Sequence, residues 1–137
     1  MREILFRGKR LDNGEWVEGW YQPETTIRNW DGRQETVGVT IAYKVEEGFL
    51  EDTLVDPSTV GQYTGLNDKN GKQIFEWDII KRFWLGAEIL YFVLYDGEKA
   101  NFIGKALNKI GFTTFDGDGE MFEVIGNIHD NPELLEK

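Results

Sequence analysis

The chain contains no cysteine, one serine (Ser58), one histidine (His129), two methionines and three prolines in 137 residues. Without cysteine there is no disulfide framework, thiolate zinc site, cysteine nucleophile or iron–sulfur cluster. One histidine excludes a histidine-rich metal site, and a Ser–His–Asp triad could use only Ser58 and His129. Long hydrophobic runs are missing too. The longest, Ile89 to Tyr95, is far below the ~20 residues that cross a bilayer as a helix. The start, MREILFRGKRLDNG, carries no apolar core of a signal peptide. The chain is therefore expected to be soluble and cytoplasmic, in contact with no membrane.

Basic residues are outnumbered 25 to 15, for a net charge of −10 and an isoelectric point near 4.6. The deficit is even: residues 1–60 and 61–137 each carry −5. A module that neutralises phosphates needs a basic face, so the balance argues against nucleic acid. The small clusters Arg7, Lys9, Arg10 and Lys81, Arg82 are flanked by acids. Aromatics make up 14% of the residues, with five tryptophans. A chain of this size buries roughly two-thirds of its unfolded surface, so most of these rings are expected in the core.

What is abundant is glycine, 16 residues, much of it in turn pairs: Asn13-Gly14, Asp31-Gly32, Asn70-Gly71, Asp96-Gly97, Asp116-Gly117 and Asp118-Gly119. Runs rich in Val, Ile, Phe, Trp and Tyr lie between them, the rhythm of β-hairpins. Residues 3–11 and 15–22 flank Asn13-Gly14, a pair suited to a type I′ turn. Val37, Val39, Ile41, Tyr43 and Val45 alternate with small or polar residues, so a strand with those five on a buried face is expected. The run 89–95 predicts a central strand, with Leu90 and Phe92 buried. Asp56-Pro57-Ser58 predicts an N-capped turn of helix and the boundary between two subdomains, 1–58 and 59–137. Residues 98–110 read two ways. Ala100, Ile103, Leu107 and Ile110 fit a helical stripe, and Gly104 weakens it. At the end, Asn131-Pro132-Glu133 predicts a short helix packing Leu134 and Leu135 inward. The fold class is thus mainly β: two small β subdomains, hairpins and a small barrel-like sheet, with a short C-terminal helix.

The segment 55–80, VDPSTVGQYTGLNDKNGKQIFEWDII, resembles the central signature of the YopX family of phage and prophage proteins. ILFRGKRLDNGEWVEG at the start and EVIGNIHDNPELL at the end are similar to its first hairpin and its closing strand and helix. The resemblance implies a mainly β fold of two small subdomains and brings no catalytic residues. The chain departs at Trp77, where the family usually has glycine between Glu76 and Asp78. Glycine there suggests a bulge or positive φ; tryptophan instead marks a surface or interface aromatic.

Chemical motifs are weak. Asp68-Lys69-Asn70-Gly71 fails as an EF-hand loop, because with Gly71 sixth the first and twelfth positions are Leu66 and Trp77. A hairpin turn in which Asp68 bonds its own backbone fits better. Asp116, Asp118 and Glu120 could hold a cation only loosely, and read best as a solvated turn. Glu76 and Asp78 would share a strand face if the strand is regular, which suits a surface ion-pair network. Gly61 to Gly65 lacks the Gly-Lys-Ser/Thr of a phosphate loop. No catalytic residue, cofactor or metal is expected. The reading is a non-enzymatic interaction or regulatory module of prophage type. Its partner would be an unidentified protein, with self-association as well, and Trp30 and Trp77 are the candidate contact residues. Two alternatives stand: a small-barrel nucleic-acid binder, for which the five tryptophans would form a stacking platform, and an acidic DNA mimic that occupies a host enzyme.

Overall fold

The computed structural model describes residues 4–46, 48–107, 111–115 and 118–136, with the backbone alone for 24–28 and 35–37. Two compact units divide between Gln62 and Tyr63. The first holds β1 (Phe6–Lys9), β2 (Trp16–Arg28), β3 (Gln34–Glu46) and β4 (Phe49–Leu54). They form an antiparallel sheet in the order β4-β3-β2-β1, and Gly61 and Gln62 of β5 (Gly61–Asn67) pair with β1. The second unit holds the rest of β5, paired with β6 (Gln73–Phe75). Its main sheet comprises β7 (Asp78–Trp84), β8 (Ala87–Asp96), β9 (Asn101–Ala106), β10 (Phe112–Thr114) and β11 (Glu123–Asn127). That sheet is antiparallel in the order β10-β9-β8-β7-β11. The protein is mainly β, as the turn rhythm implies, and its only helical elements among the described residues are two 3-10 turns.

Alternation decides which residues fill each core. In the first unit Val17, Ile41 and Val55 are buried, with Phe6, Val39, Tyr43 and Val60 packed against them. Ile41 is the centre of the expected stripe, but Val45 at its end is exposed, where the β3–β4 register shifts between Lys44 and Glu46 and the alternation breaks. The side chain of Val37 lies outside the described residues. In the second unit the core is Ile74, Ile80, Tyr91, Val93, Phe102, Phe115 and Phe122. Fully burying a side chain of this size contributes roughly 1.5–3 kcal/mol. The run 89–95 is a strand, but its buried face is Tyr91 and Val93; Leu90 and Phe92 are only half-buried. A near-continuous apolar run does not disclose which of its two faces has the thicker cover.

Several expectations need correction. The first hairpin forms, but through a longer loop than a type I′ turn. Arg10 N–H donates to the Glu15 carbonyl and Gly14 N–H to the Arg10 carbonyl, both at 2.9 Å, and of Asn13 and Gly14 only Gly14 has positive φ. Within 98–110 the described residues form no helical stripe: Asn101–Ala106 is β9, and Gly104 suits its place in the sheet. A Cβ there would sit 3.0 Å from Thr113 Cγ2 and 3.1 Å from Tyr91 Cβ, so the neighbouring strands close over it. Ile110 lies outside the described residues. The closing helix is a 3-10 turn, Pro132–Glu136, that buries no residue, so Leu135 is exposed and Leu134 half-covered. The core rings are Phe and Tyr; none of the five tryptophans is buried. At Asp56 the expectation holds: its carboxylate accepts the Ser58 N–H at 3.0 Å and starts a 3-10 turn over Pro57–Thr59.

Trp77 sits in a break, not in a regular strand. It stands with Glu76 between β6 and β7 and keeps φ at +72°, the conformation that glycine would adopt freely. Its N–H donates to the Val93 carbonyl at 2.8 Å and its carbonyl accepts from Ile128 N–H at 3.0 Å, so the backbone is held on both sides. Left-handed backbone costs an L-residue roughly 1–2 kcal/mol, while the half-buried indole returns part of that through packing. Trp77→Gly is therefore expected to stay within ~1 kcal/mol of wild type, and Trp77→Ala, which keeps the strain and loses the ring, to fall below Trp77→Gly by ~1 kcal/mol. Denaturant unfolding of the three proteins checks this; Trp77→Ala equal to or above Trp77→Gly would refute the strain argument.

Candidate interaction site

Three of the carboxylates weighed for chemistry, those of Asp68, Asp78 and Asp118, accept from backbone N–H groups. Asp78 is buried and its Oδ2 accepts the Phe75 N–H at 2.8 Å, capping the turn that carries Glu76. The interrupted strand thus removes the Glu76–Asp78 pair. Ser58 Oγ donates to Asp56 Oδ1 at 2.8 Å. His129 N–H donates to Asn127 Oδ1 at 3.0 Å in the turn after β11. Asp118 Oδ1 accepts the Glu120 N–H at 2.8 Å, and Asp116 lies outside the described residues. Asp68 is buried; its Oδ1 accepts from Asn70 and Lys72 N–H and its Oδ2 from Val124 N–H, all within 2.9 Å. Burial alone would push its carboxyl up, but the three N–H donors outweigh burial and hold it below the usual carboxylate range. Among the described residues, no three His, Cys, Asp or Glu gather as metal ligands.

Several large aromatic and aliphatic side chains are exposed. Trp30, one of the two expected contact residues, is 99% exposed in the turn between β2 and β3. Asp31 shapes that turn, its carboxylate accepting the Arg33 N–H at 3.0 Å. The two residues on its strand side, Arg28 and Gln34, pair, and among the described residues the ribbon from Thr25 to Gly38 pairs only with itself. Trp77, the other, is half-buried in the second unit.

Sequence reading missed the tip of the β7–β8 hairpin. Trp84 pairs with Ala87, leaving Leu85 and Gly86 as a two-residue turn. Their φ values, +51° and +82°, are both positive, as a type I′ turn requires. The favoured residues there are Asn-Gly, and this chain has Leu-Gly. Leu85 is 91% exposed, Phe83 63% and Trp84 51%, so three consecutive large apolar residues face outward. The Arg82 guanidinium stacks 4.5 Å from the Trp84 ring centre and donates to Thr113 Oγ1 at 3.3 Å. That contact holds the indole upright on its strand. The only sequence signal was an apolar residue directly before a glycine between two strands.

The fold is that of a mainly β protein built of two antiparallel units. The YopX protein family model matches residues 5–136, and the chain belongs to that family. A crystal structure of protein EF1440 from Enterococcus faecalis is similar over 98% of this chain and 99% of that one, at 24% identity and a TM-score of 0.49. No curated protein matches the chain. Among the described residues no helix is long and apolar enough to cross a membrane.

Proposed function

We propose that the chain is a non-enzymatic interaction module of prophage type, acting in the bacterial cytoplasm and binding a protein through the β7–β8 tip. The supporting observation is Leu85. A leucine in left-handed backbone costs roughly 1–2 kcal/mol, and one that is 91% exposed recovers almost none of it by burial. Strain of this kind persists where the residue serves something outside the fold. Together with Phe83 and Trp84 it makes a convex apolar wedge of the sort that fills a partner's pocket.

Leu85→Asn tests this because it separates folding from binding. Asparagine tolerates the left-handed region and completes an Asn-Gly pair, so stability should rise by ~0.5–1 kcal/mol. Capture of protein from a bacterial lysate should fall with the same change, and more so with Phe83→Ser added. Proteins held equally by wild type and by the double variant would overturn the assignment of the tip.

A second reading has its own observation. On one face of the first sheet, Arg7 and Lys9 lie 4.7 and 5.5 Å from the ring centre of Trp16, and Lys44 lies 5.9 Å from that of Trp20. Indoles alternating with cations form a stacking platform for single-stranded nucleic acid. Glu18 stands on the same face opposite Arg7, and the net charge of −10 opposes phosphate approach. Binding to random-sequence DNA at physiological salt is therefore expected to be weaker than ~10⁻⁴ M. A micromolar mobility shift abolished by salt would favour this second reading.

A further inference from the structure

The sheet of the first unit ends at β4, and among the described residues no strand lies beyond it. Its ladder register shows which backbone groups are unspent. Val55 N–H donates to the Val39 carbonyl at 3.1 Å, and Thr53 and Glu51 follow it in pairing with Ile41 and Tyr43. Antiparallel alternation then turns the N–H and carbonyl of Leu50 and Asp52 away from β3. The next outward carbonyl, that of Leu54, is taken by Leu11 N–H at 3.0 Å, which agrees with this register.

The side chains beside this edge are of two kinds. Phe49 is 65% and Leu50 57% exposed, and with Val45, Glu46 and Glu51 they line a shallow depression of about 310 Å³. Glu51 and Asp52 continue the strand, and both are exposed. The nearby Arg10 is committed to Asp12, at 2.8 Å. An open edge with exposed apolar residues is a template for another strand, and proteins that only need to avoid this blunt it with charge, proline or a bulge. Here the charge is all acidic and sits where an added strand would place its own side chains.

We propose that the outer edge of β4 accepts an extended basic segment of another protein as an added antiparallel strand. Its backbone pairs with Leu50 and Asp52, its apolar side chains cover Phe49 and Leu50, and its Lys or Arg side chains meet Glu51 and Asp52. A second copy of this chain fits less well. Pairing β4 with itself about Asp52 sets Asp52 against Asp52, and about Glu51 sets Glu51 against Glu51, like charges directly opposite; about Leu50 it lays the Glu51 of each copy against the Phe49 of the other and leaves that carboxylate without a cation. The site shares with the proposed function only that the partner is a protein; it does not use the hairpin tip.

The test is an amide-resolved NMR titration of the full chain with the capped peptide Thr-Lys-Lys-Val-Val-Thr, which in antiparallel pairing sets its lysines opposite Asp52 and Glu51 and its valines opposite Leu50 and Phe49, and with its Glu-Glu counterpart. The basic peptide is expected to bind at least tenfold more tightly and to shift the Leu50 and Asp52 amides most. Asp52→Pro removes one outward N–H at an edge position where proline is tolerated, and should weaken binding about tenfold. The double change Glu51→Lys and Asp52→Lys should reverse the peptide preference, and decides the matter if Asp52→Pro does not fold. Leu85→Asn should bind the peptide as wild type does, so failure of the tip and failure of the edge are told apart. Shifts centred elsewhere, an unreversed preference, or a dimer that occupies β4 without peptide would overturn the proposal.

Discussion

Asp68→Ala is expected to lower the unfolding free energy by about 3 kcal/mol or more, a large share of the ~5–15 kcal/mol that holds a domain folded. The carboxylate closes the Asp68–Lys72 turn through Asn70 and Lys72 N–H. It also ties that turn to a strand 56 residues later through Val124 N–H at 2.9 Å. Lys69 N–H to the Phe122 carbonyl, 3.0 Å, runs beside it. Alanine leaves three donors without an acceptor, and the one on half-buried Val124 is the least able to find water. Asp68→Asn keeps an acceptor oxygen but points an amide N–H₂ at one of the donors, so it should cost less than alanine and still be plainly destabilising. The two variants also predict a pH signature. The folded carboxyl lies below its unfolded value of ~3.9. Its contribution is therefore fully present above that value and is lost as pH falls through the folded pKa. Carboxylates common to wild type and Asp68→Asn cancel in the difference. The stability gap between them, measured by denaturant unfolding, should be constant near neutrality and shrink below about pH 4. A gap that stays constant down to pH 2 would show that the charge of Asp68 plays no part.

The Asp68 turn was legible because every determinant is local: an acid, two spacer residues and a glycine fix a turn whatever the rest of the chain does. The strands at 37–45 and 89–95 were legible for the same reason, since alternation and β-branched content act over a few residues, whereas the polar ends of β2 and β3 within 24–35 read as a loop. The faces were less so. Tyr91 and Val93 outrank Leu90 and Phe92 in burial because Phe102, Phe115 and Phe122 arrive from distant segments on that side. The tryptophans misled most. Their bulk suggests core, yet three of them lie under cations on strand faces, Trp16 with Arg7 and Lys9, Trp20 with Lys44, Trp84 with Arg82. A cation one or two places away on the same or the paired strand was the available signal. The Leu85 turn carried only the glycine after it, because its strained residue has the composition of a strand. Of the two expected contact residues, Trp30 was placed by the Asp31-Gly32 turn beside it, while Trp77 depended on a break in the strand that the family glycine announced and the tryptophan hid.

Gly19→Ala should be as damaging as Asp68→Ala, for a reason no composition reveals. Gly19 lies in β2, paired with Phe6 of β1. A Cβ on it would overlap the Ala42 carbonyl oxygen and stand 2.9 Å from the Ala42 carbonyl carbon and 3.0 Å from Ile41 Cγ2. The first two atoms are backbone of β3, and the third belongs to a fully buried core residue. No rotamer change can relieve such an overlap, so the strand itself must move. That shift would loosen the Trp20–Ala42 and Tyr21–Ile41 pairs and open the core around Val17 and Val55. Overpacking usually costs ~1–3 kcal/mol where side chains can yield. Here backbone must yield, and a loss of at least ~3 kcal/mol is expected. Gly32→Ala is the control for added bulk without collision: nothing lies within 4 Å of its Cβ position, and only its φ of +86° penalises the change, by ~1–2 kcal/mol. Denaturant unfolding should therefore rank wild type above Gly32→Ala and Gly32→Ala above Gly19→Ala. If Gly19→Ala unfolded within ~1 kcal/mol of wild type, β2 and β3 could not approach as closely at this point as the structure places them.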